Sequence, residues 1–309
     1  MPASPGLRRR IVRKVLDYIL LLSLVYVALC AVVFFVQRRL LYFPRAEHVA
    51  TPADVGLDHR DVWLEPEPGQ RVHAWLVPCE RARAVVLFMH GNAGNVSDRL
   101  ATLALLHELG LATLIPDYPG YGRSAGSPSE ASILATGRAA LRWLREADAV
   151  PSRRVVLWGR SLGGAVAACL APEAEAAGLI VESSFPSVGD MARHLYPWLP
   201  TGVLLLDRFE AAESLRALPV PKLFLHSRQD ETVPFELGRR LHASAADPKR
   251  FVELSGTHDD GFLQSGEVYR DAVSGFLDDL LGASPAGAGS AGTAPSTPAE
   301  PTSVPGSRR

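Results

Sequence analysis

The run Val155, Val156, Leu157, Trp158, Gly159, Arg160, Ser161, Leu162, Gly163, Gly164 decides the fold. Four apolar residues closed by a glycine read as a buried strand, and Leu162 to Leu170 carries apolar residues at helical spacing. Gly159 to Gly163 then occupies a tight strand-to-helix turn with Ser161 at its apex. Glycines two before and two after the serine suit a strained, crowded backbone with little room for Cβ atoms.

Outward from this turn, short aliphatic runs alternate with longer helical patterns from about Val62 to Leu281. Strands are expected at Ala84 to Phe88, Ala112 to Ile115, Val155 to Trp158, Gly178 to Val181 and Lys222 to His226, their unbroken apolarity indicating burial on both faces. Crossover helices are expected at Asp98 to Leu109, Ser129 to Glu146, Leu162 to Leu170 and Phe235 to Ala245. Val62 to Leu64 and Arg71 to Val77, divided by a turn-rich segment, read as an antiparallel hairpin that makes the sheet mixed. The fold class is therefore α/β, with a mixed, mostly parallel sheet and helices on both faces. Phe185 to Leu215, punctuated by Pro186, Pro197 and Pro200, is too long for a simple crossover and reads as a small cap insertion.

The two ends differ from this middle. Tyr18 to Val36 is a run of 19 residues without a charge, which at 1.5 Å per residue spans roughly 28 Å, close to the bilayer hydrocarbon core. Large residues and Arg38, Arg39 follow it instead of a small-residue cleavage site, which favours a retained single-pass anchor over a cleaved signal or a soluble helix. Arg8, Arg9, Arg10, Arg13 and Lys14 precede the run and Arg38, Arg39 and Arg45 follow it, so the positive-inside bias places the bulk of the chain on the non-cytoplasmic side. The flanking arginines also suit lipid headgroups whichever way the helix points. The expected organisation is a basic segment over 1–14, an anchor over 15–37, a catalytic domain over 40–282 and a disordered tail rich in Pro, Ala, Gly, Ser and Thr over 283–309.

Composition removes several functions. With 32 basic and 33 acidic residues in a chain of 309, no basic field exists to gather nucleic-acid phosphates. Cys30, Cys79 and Cys169 are odd in number and scattered, which fits small buried hydrophobes better than disulfides or a zinc site.

A serine hydroxyl is a weak nucleophile until an imidazole accepts its proton, and that imidazole needs an acid to fix its tautomer. Asp230 follows the strand ending at His226 and is the expected acid, with helix capping as its alternative role and Glu231 as a less well-centred neighbour. His258 lies in a turn after the apolar Phe251 to Leu254 and is preferred as base over His242, which sits in a helical pattern. A developing oxyanion needs two aimed amides: that of Leu162, directly after the nucleophile, and one from the loop Met89, His90, Gly91, Asn92, Ala93, Gly94, Asn95, for which Asn92 is selected. Taken alone, that loop also reads as a polar turn closed by a helix cap at Ser97.

With Ser161, Asp230 and His258 in this order and His90, Gly91, Asn92 after a strand, the chain resembles the alpha/beta-hydrolase superfamily over roughly residues 40–282. The anchor, then Leu40, Leu41, Tyr42, Phe43, Pro44, then Asp117, Tyr118, Pro119, Gly120, Tyr121, Gly122, is similar to a membrane-tethered subfamily that includes lysophospholipases and protein depalmitoylases. The resemblance implies hydrolysis of an ester or thioester through an acyl-serine, with no metal or organic cofactor. It also implies that Asp117 holds the Tyr118 to Gly122 turn and that Glu182 is the second choice of triad acid. The expected substrate is a small acyl ester or lipid-like molecule near a membrane. The chain lacks an amino-terminal cysteine cluster, which sets it apart from the depalmitoylases. A peptidase of the same fold and a non-catalytic binding module are the competing classes.

Overall fold

The computed structural model describes residues 5–148 and 150–282. The chain starts in one long helix, α1 (Pro5–Leu41), followed by a two-residue strand β1 (Phe43–Pro44). The antiparallel hairpin β2 (Arg60–Leu64) and β3 (Val72–Val77) leads into β4 (Ala84–Met89), a short β5 (Ala93–Gly94), α2 (Leu100–Glu108) and β6 (Leu111–Pro116). The second half runs α3 (Glu130–Glu146), β7 (Val155–Arg160), α4 (Leu162–Ala174) and β8 (Gly178–Glu182). Three short helices, α5 (Val188–Leu195), α6 (Thr201–Leu204) and α7 (Ala211–Leu215), separate β8 from β9 (Lys222–Ser227). The chain closes with α8 (Phe235–Ser244), β10 (Lys249–Leu254), α9 (Gly261–Gln264) and α10 (Gly266–Leu281).

Eight strands form one sheet in the order β10-β9-β8-β7-β4-β6-β3-β2, in which β3 alone runs against its neighbours. The alternation along β7 explains why both faces are buried: Val155 and Leu157 enter one apolar core, Val156 and Trp158 the other. From β4 the chain steps to β6 on one side and later to β7 on the other. Such a reversal opens a crevice at the strands' carboxyl ends, where α/β sheets bind ligands.

The expected strands, helices and hairpin all form, with ends shifted by a few residues. The helix expected from Asp98 starts at Leu100, after a single 3-10 turn over Val96–Arg99. The cap of that turn is Asn95, whose side chain accepts from the Ser97 amide, and Ser97 itself is not the cap. The cap insertion over Phe185 to Leu215 forms, but its last part belongs to the core: Phe209, Ala211 and Leu215 are fully buried against α4. Of the cysteines, only Cys30 is buried; Cys79 and Cys169 are half-buried, and all three are free.

Helix α1 extends beyond the expected anchor at both ends. Its stretch Val12–Leu41 is apolar enough to cross a membrane and is not enclosed by the rest of the protein. Its carboxyl-terminal turns touch the cap. Arg38, expected to meet lipid headgroups, instead pairs through Nε with Asp207 Oδ2 at 2.9 Å, and the Asp207 carboxylate is buried. The sequence over 283–309, expected to be disordered, and residues 1–4 lie outside the described residues.

Candidate active site

Ser161 sits between β7 and α4 with φ 58° and ψ −125°, a backbone conformation that side-chain-bearing residues rarely adopt. The neighbouring glycines are demanded by contact. A Cβ on Gly159 would lie 1.9 Å from the carbonyl oxygen of Gly163, and one on Gly163 would lie 1.9 Å from that of Met89. The first turn of α4 therefore presses directly on the backbone at the end of β4. Ser184 Oγ donates to the Ser161 carbonyl at 2.8 Å, and the Ser161 amide donates to the Glu182 carbonyl at 2.9 Å, holding the turn in place.

Met89 pairs with Gly159 across β4 and β7, so the loop after β4 and the serine turn leave the sheet at one level. His90 is buried and stacks on Tyr118, ring centroids 4.2 Å apart. Its Nδ1 lies 2.7 Å from the Gly91 carbonyl oxygen, which can only accept, so Nδ1 carries the proton. Burial, reinforced by the charge of Arg99, lowers the His90 pKa to about 4 and keeps the ring neutral.

Two phenols hold this loop by its carbonyls: Tyr118 donates to His90 O and Tyr121 to Asn92 O, each at 2.7 Å. Burial pushes the Tyr118 phenol well above its ordinary pKa, so it stays a donor. On the other side, β1 pairs in parallel with β5: Phe43 donates to Asn92 O at 3.0 Å and Arg45 to Gly94 O at 3.1 Å. Asn92 Nδ2 in turn donates to the Leu41 carbonyl at 2.9 Å. With its carbonyl and side chain so engaged, the Asn92 amide N–H finds no backbone acceptor among the described residues, and neither does that of Leu162 at the start of α4.

Asp117 keeps the structural place expected of it. Its Oδ1 accepts from the Val96 amide at 3.0 Å, and its Oδ2 lies 3.2 Å from His48 Nε2 and 3.5 Å from His73 Nδ1. Burial acts to raise its pKa, but hydrogen bonds from His48 and His73 win and the carboxyl is lowered. Gly122, at φ 52°, fits above it only because it has no Cβ, which would meet Oδ2 at 2.1 Å. His48, His73 and Asp117 bring their ligand-capable atoms within 4.8 Å of one another. Here that closeness is a hydrogen-bond network, with His73 Nε2 donating to Asp61 Oδ1 at 2.9 Å.

Asp230 and His258 meet. His258 Nδ1 lies 2.8 Å from Asp230 Oδ2 and 3.0 Å from Oδ1, so Nδ1 donates and Nε2 keeps its lone pair. Asp230 also takes the capping role: its Oδ1 accepts from the amides of Thr232 and Val233 at 3.0 and 2.7 Å. Its pKa is depressed; burial opposes this but is outweighed by hydrogen bonds from His226 and His258. The Ser161 hydroxyl makes no hydrogen bond to His258 among the described residues, and such bonds are commonly loose before substrate binds. Glu231 contributes differently, accepting the His258 amide at 3.1 Å.

Glu182 is occupied elsewhere. Its carboxylate accepts from Arg160 Nε at 2.9 Å, Tyr269 at 2.9 Å and Trp158 Nε1 at 3.3 Å, all within buried surroundings. His242 packs edge-on against Phe224 and Phe251. Sequence reasoning missed His226, buried with Nε2 2.9 Å from Val233 O and 3.4 Å from Asp230 Oδ2. Its only signal was a histidine ending an otherwise apolar strand. A Cβ on Gly238 would sit 2.0 Å from His226 Nδ1, so that glycine makes room for the ring.

Above Ser161 lies a cavity of about 450 Å³ lined by Ser161, Leu162, Asn92, Thr232 and Val233 on its floor. The serine turn, the loop after β4 and the loop carrying Asp230 thus open on one space.

A family model described as the alpha/beta hydrolase fold matches residues 84–236. The chain is 36% identical over 270 residues to the alpha/beta hydrolase domain-containing protein WAV2 of Arabidopsis thaliana, 78% of this chain and 87% of that one. The chain belongs to the alpha/beta-hydrolase family. An uncharacterized protein of Mycobacterium tuberculosis is 38% identical over 269 residues, 86% of this chain and 96% of its own length. An uncharacterized membrane protein of Saccharomyces cerevisiae is 30% identical over 259 residues, 80% of this chain and 90% of its own. Among solved structures, an esterase of Pyrococcus furiosus superposes with a TM-score of 0.65 at 18% identity, over 78% of this chain and 98% of that one. This last likeness concerns the fold alone.

Proposed function

We propose that this alpha/beta-hydrolase is a membrane-anchored serine hydrolase that cleaves carboxylic esters or thioesters through an acyl-serine intermediate. The observation that carries this reading is the strained Ser161 at the floor of an apolar cavity, with the Asp230–His258 pair supplied from the loops after β9 and β10. In the proposed mechanism His258 Nε2 takes the Ser161 proton as Oγ attacks the acyl carbon, and Asp230 stabilises the resulting imidazolium. The amides of Leu162 and Asn92 receive the oxyanion; His258 then returns the proton to the leaving group, and water repeats the sequence to release the acid. The esterase name of the Pyrococcus furiosus neighbour is consistent with this class.

Helix α1 is the anchor in this reading, and the excess of basic residues before it favours a cytoplasmic amino terminus with the catalytic domain on the other side. Apolar lining of the cavity supports lipid-like or small acyl substrates. A fluorophosphonate probe should label the wild-type protein and leave Ser161→Ala unlabelled. Equal labelling of both would overturn the assignment of the nucleophile.

A further inference from the structure

Tyr26 donates its hydroxyl to the carbonyl oxygen of Trp198 at 2.9 Å. Tyr26 lies inside the charge-free run of α1, nine residues from Asp17 on one side and twelve from Arg38 on the other. At 1.5 Å per residue the charged ends lie about 14 Å and about 18 Å away. A helix whose charged ends reach the two surfaces of a hydrocarbon core roughly 30 Å thick therefore carries the tip of the cap to about mid-depth.

The cap has the chemistry for that position. Leu195 to Leu206 contains no charged residue, and Leu195, Tyr196, Trp198, Val203 and Leu206 are exposed, Val203 by 83%. In water this would be an uncovered apolar patch on a segment with little regular structure. Backbone groups of irregular segments are costly in hydrocarbon unless the protein satisfies them. Here α1 does so: besides Tyr26, Gln37 donates through Nε2 to Leu204 O at 3.0 Å and accepts through Oε1 from the Leu206 amide at 2.9 Å. Two of the few polar side chains on the lower face of α1 are thus spent on cap backbone.

The cavity over Ser161 lies between these same elements. Val33, Leu40 and Leu41 of α1 form one wall, and Met191, Leu199 and Leu205 of the cap form the other. We propose that α1 and the cap form an acyl channel immersed in the bilayer, delivering the acyl chain of a lipid ester or thioester to Ser161 from within the leaflet. This rests on the serine-hydrolase reading and on α1 spanning the membrane. At about 450 Å³ the cavity is in the range of small-molecule sites, roughly 300–1,000 Å³, with room for an acyl chain. Helix α1 is then a specificity element as well as an anchor.

The test uses the full chain in phosphatidylcholine vesicles. Lipids brominated in their acyl chains should quench a component of tryptophan fluorescence that Trp198→Phe removes; if the two proteins are quenched equally, the cap is not in the bilayer and the proposal falls. Independently, Val33→Trp should lower the ratio of kcat/KM for palmitoyl over butyryl esters by about tenfold or more, since burial of each methylene is worth roughly fourfold. An unchanged ratio, in a variant whose circular dichroism and melting match wild type, overturns the channel. If fluorophosphonate fails to label wild-type Ser161 while Trp198 is quenched, the nucleophile assignment is at fault and not the immersion of the cap.

Discussion

Phe43 donates its amide to the carbonyl of Asn92 at 3.0 Å, so the strand that follows α1 is bonded to the loop assigned to the oxyanion. The contact gives a function to the motif Leu40 to Pro44, which otherwise looks like a mere connector. A chain beginning at Glu47 lacks both Phe43 and Arg45, whereas one beginning at Tyr42 keeps their bonds to Asn92 and Gly94. Turnover of a water-soluble short ester should be about a hundredfold lower in the shorter chain, the scale of a displaced catalytic group. Equal kcat for the two chains would show that β1 does not position the loop.

Asp230→Asn should leave the fold intact, because the amide oxygen can still accept from Thr232 and Val233. It cannot enforce the Nδ1–H tautomer of His258, and kcat should drop by roughly 10³ to 10⁴. Steady-state kinetics on one ester, beside a thermal melt, separates this from unfolding.

Glu182→Gln addresses the other carboxylate. Removing its charge leaves Arg160 buried without compensation, a loss of about 3–5 kcal/mol. The melting temperature should fall by roughly 10 °C, while kcat measured below the new transition stays within a few-fold of wild type. A collapse of kcat with an unchanged melt would make Glu182 the acid of the triad.

Gly163→Ala places a methyl group 1.9 Å from Met89 O and 2.5 Å from His90 O. Backbone atoms cannot step aside as a flexible side chain does, so destabilisation of about 3 kcal/mol is expected, the upper range for overpacking. Chemical denaturation measures it, and activity should fall with it because the push is toward Gly91 and Asn92.

Acid should weaken the fold through His90 before it reaches Asp230. The folded pKa of His90 is about 4, below the roughly 6.5 of a free histidine, so the unfolded chain takes up the proton first as pH falls. Stability is then lost between about pH 6.5 and 4, by at most about 3 kcal/mol from this group. Asp230 has the opposite sense of charge: its depressed pKa stabilises the fold above the ordinary carboxylate value of about 3.9 and that contribution goes only below it. Denaturation of His90→Asn over the same range should give a flatter profile than wild type. Parallel profiles would mean the ring is protonated in the fold.

Much of this protein was legible because its signals are local. Short β-branched apolar runs such as Val155 to Trp158, bounded by turn residues, read as strands buried on two faces, and the glycines around Ser161 record a crowded turn without any knowledge of what crowds it. Chain order then narrows the partners to Asp230 and His258. Glu182 shows the limit: a carboxylate after a strand satisfies the same local pattern, and only the arrival of Arg160, Trp158 and Tyr269 engages it elsewhere. His226 shows the converse, since nothing adjacent in sequence signals that it will bridge to Asp230 and Val233.

The sequence by itself determined the sheet, the serine turn and the long apolar helix, because periodicity and glycine spacing act through neighbours along the chain. Tertiary structure alone decided that Arg38 binds Asp207, that Tyr26 meets Trp198 and that Phe43 pairs with Asn92. Those contacts join residues 49 to 172 positions apart, and their geometry depends on how the strands order and how the cap folds back. A helix that the sequence describes as an anchor thereby becomes a wall of the cavity above Ser161.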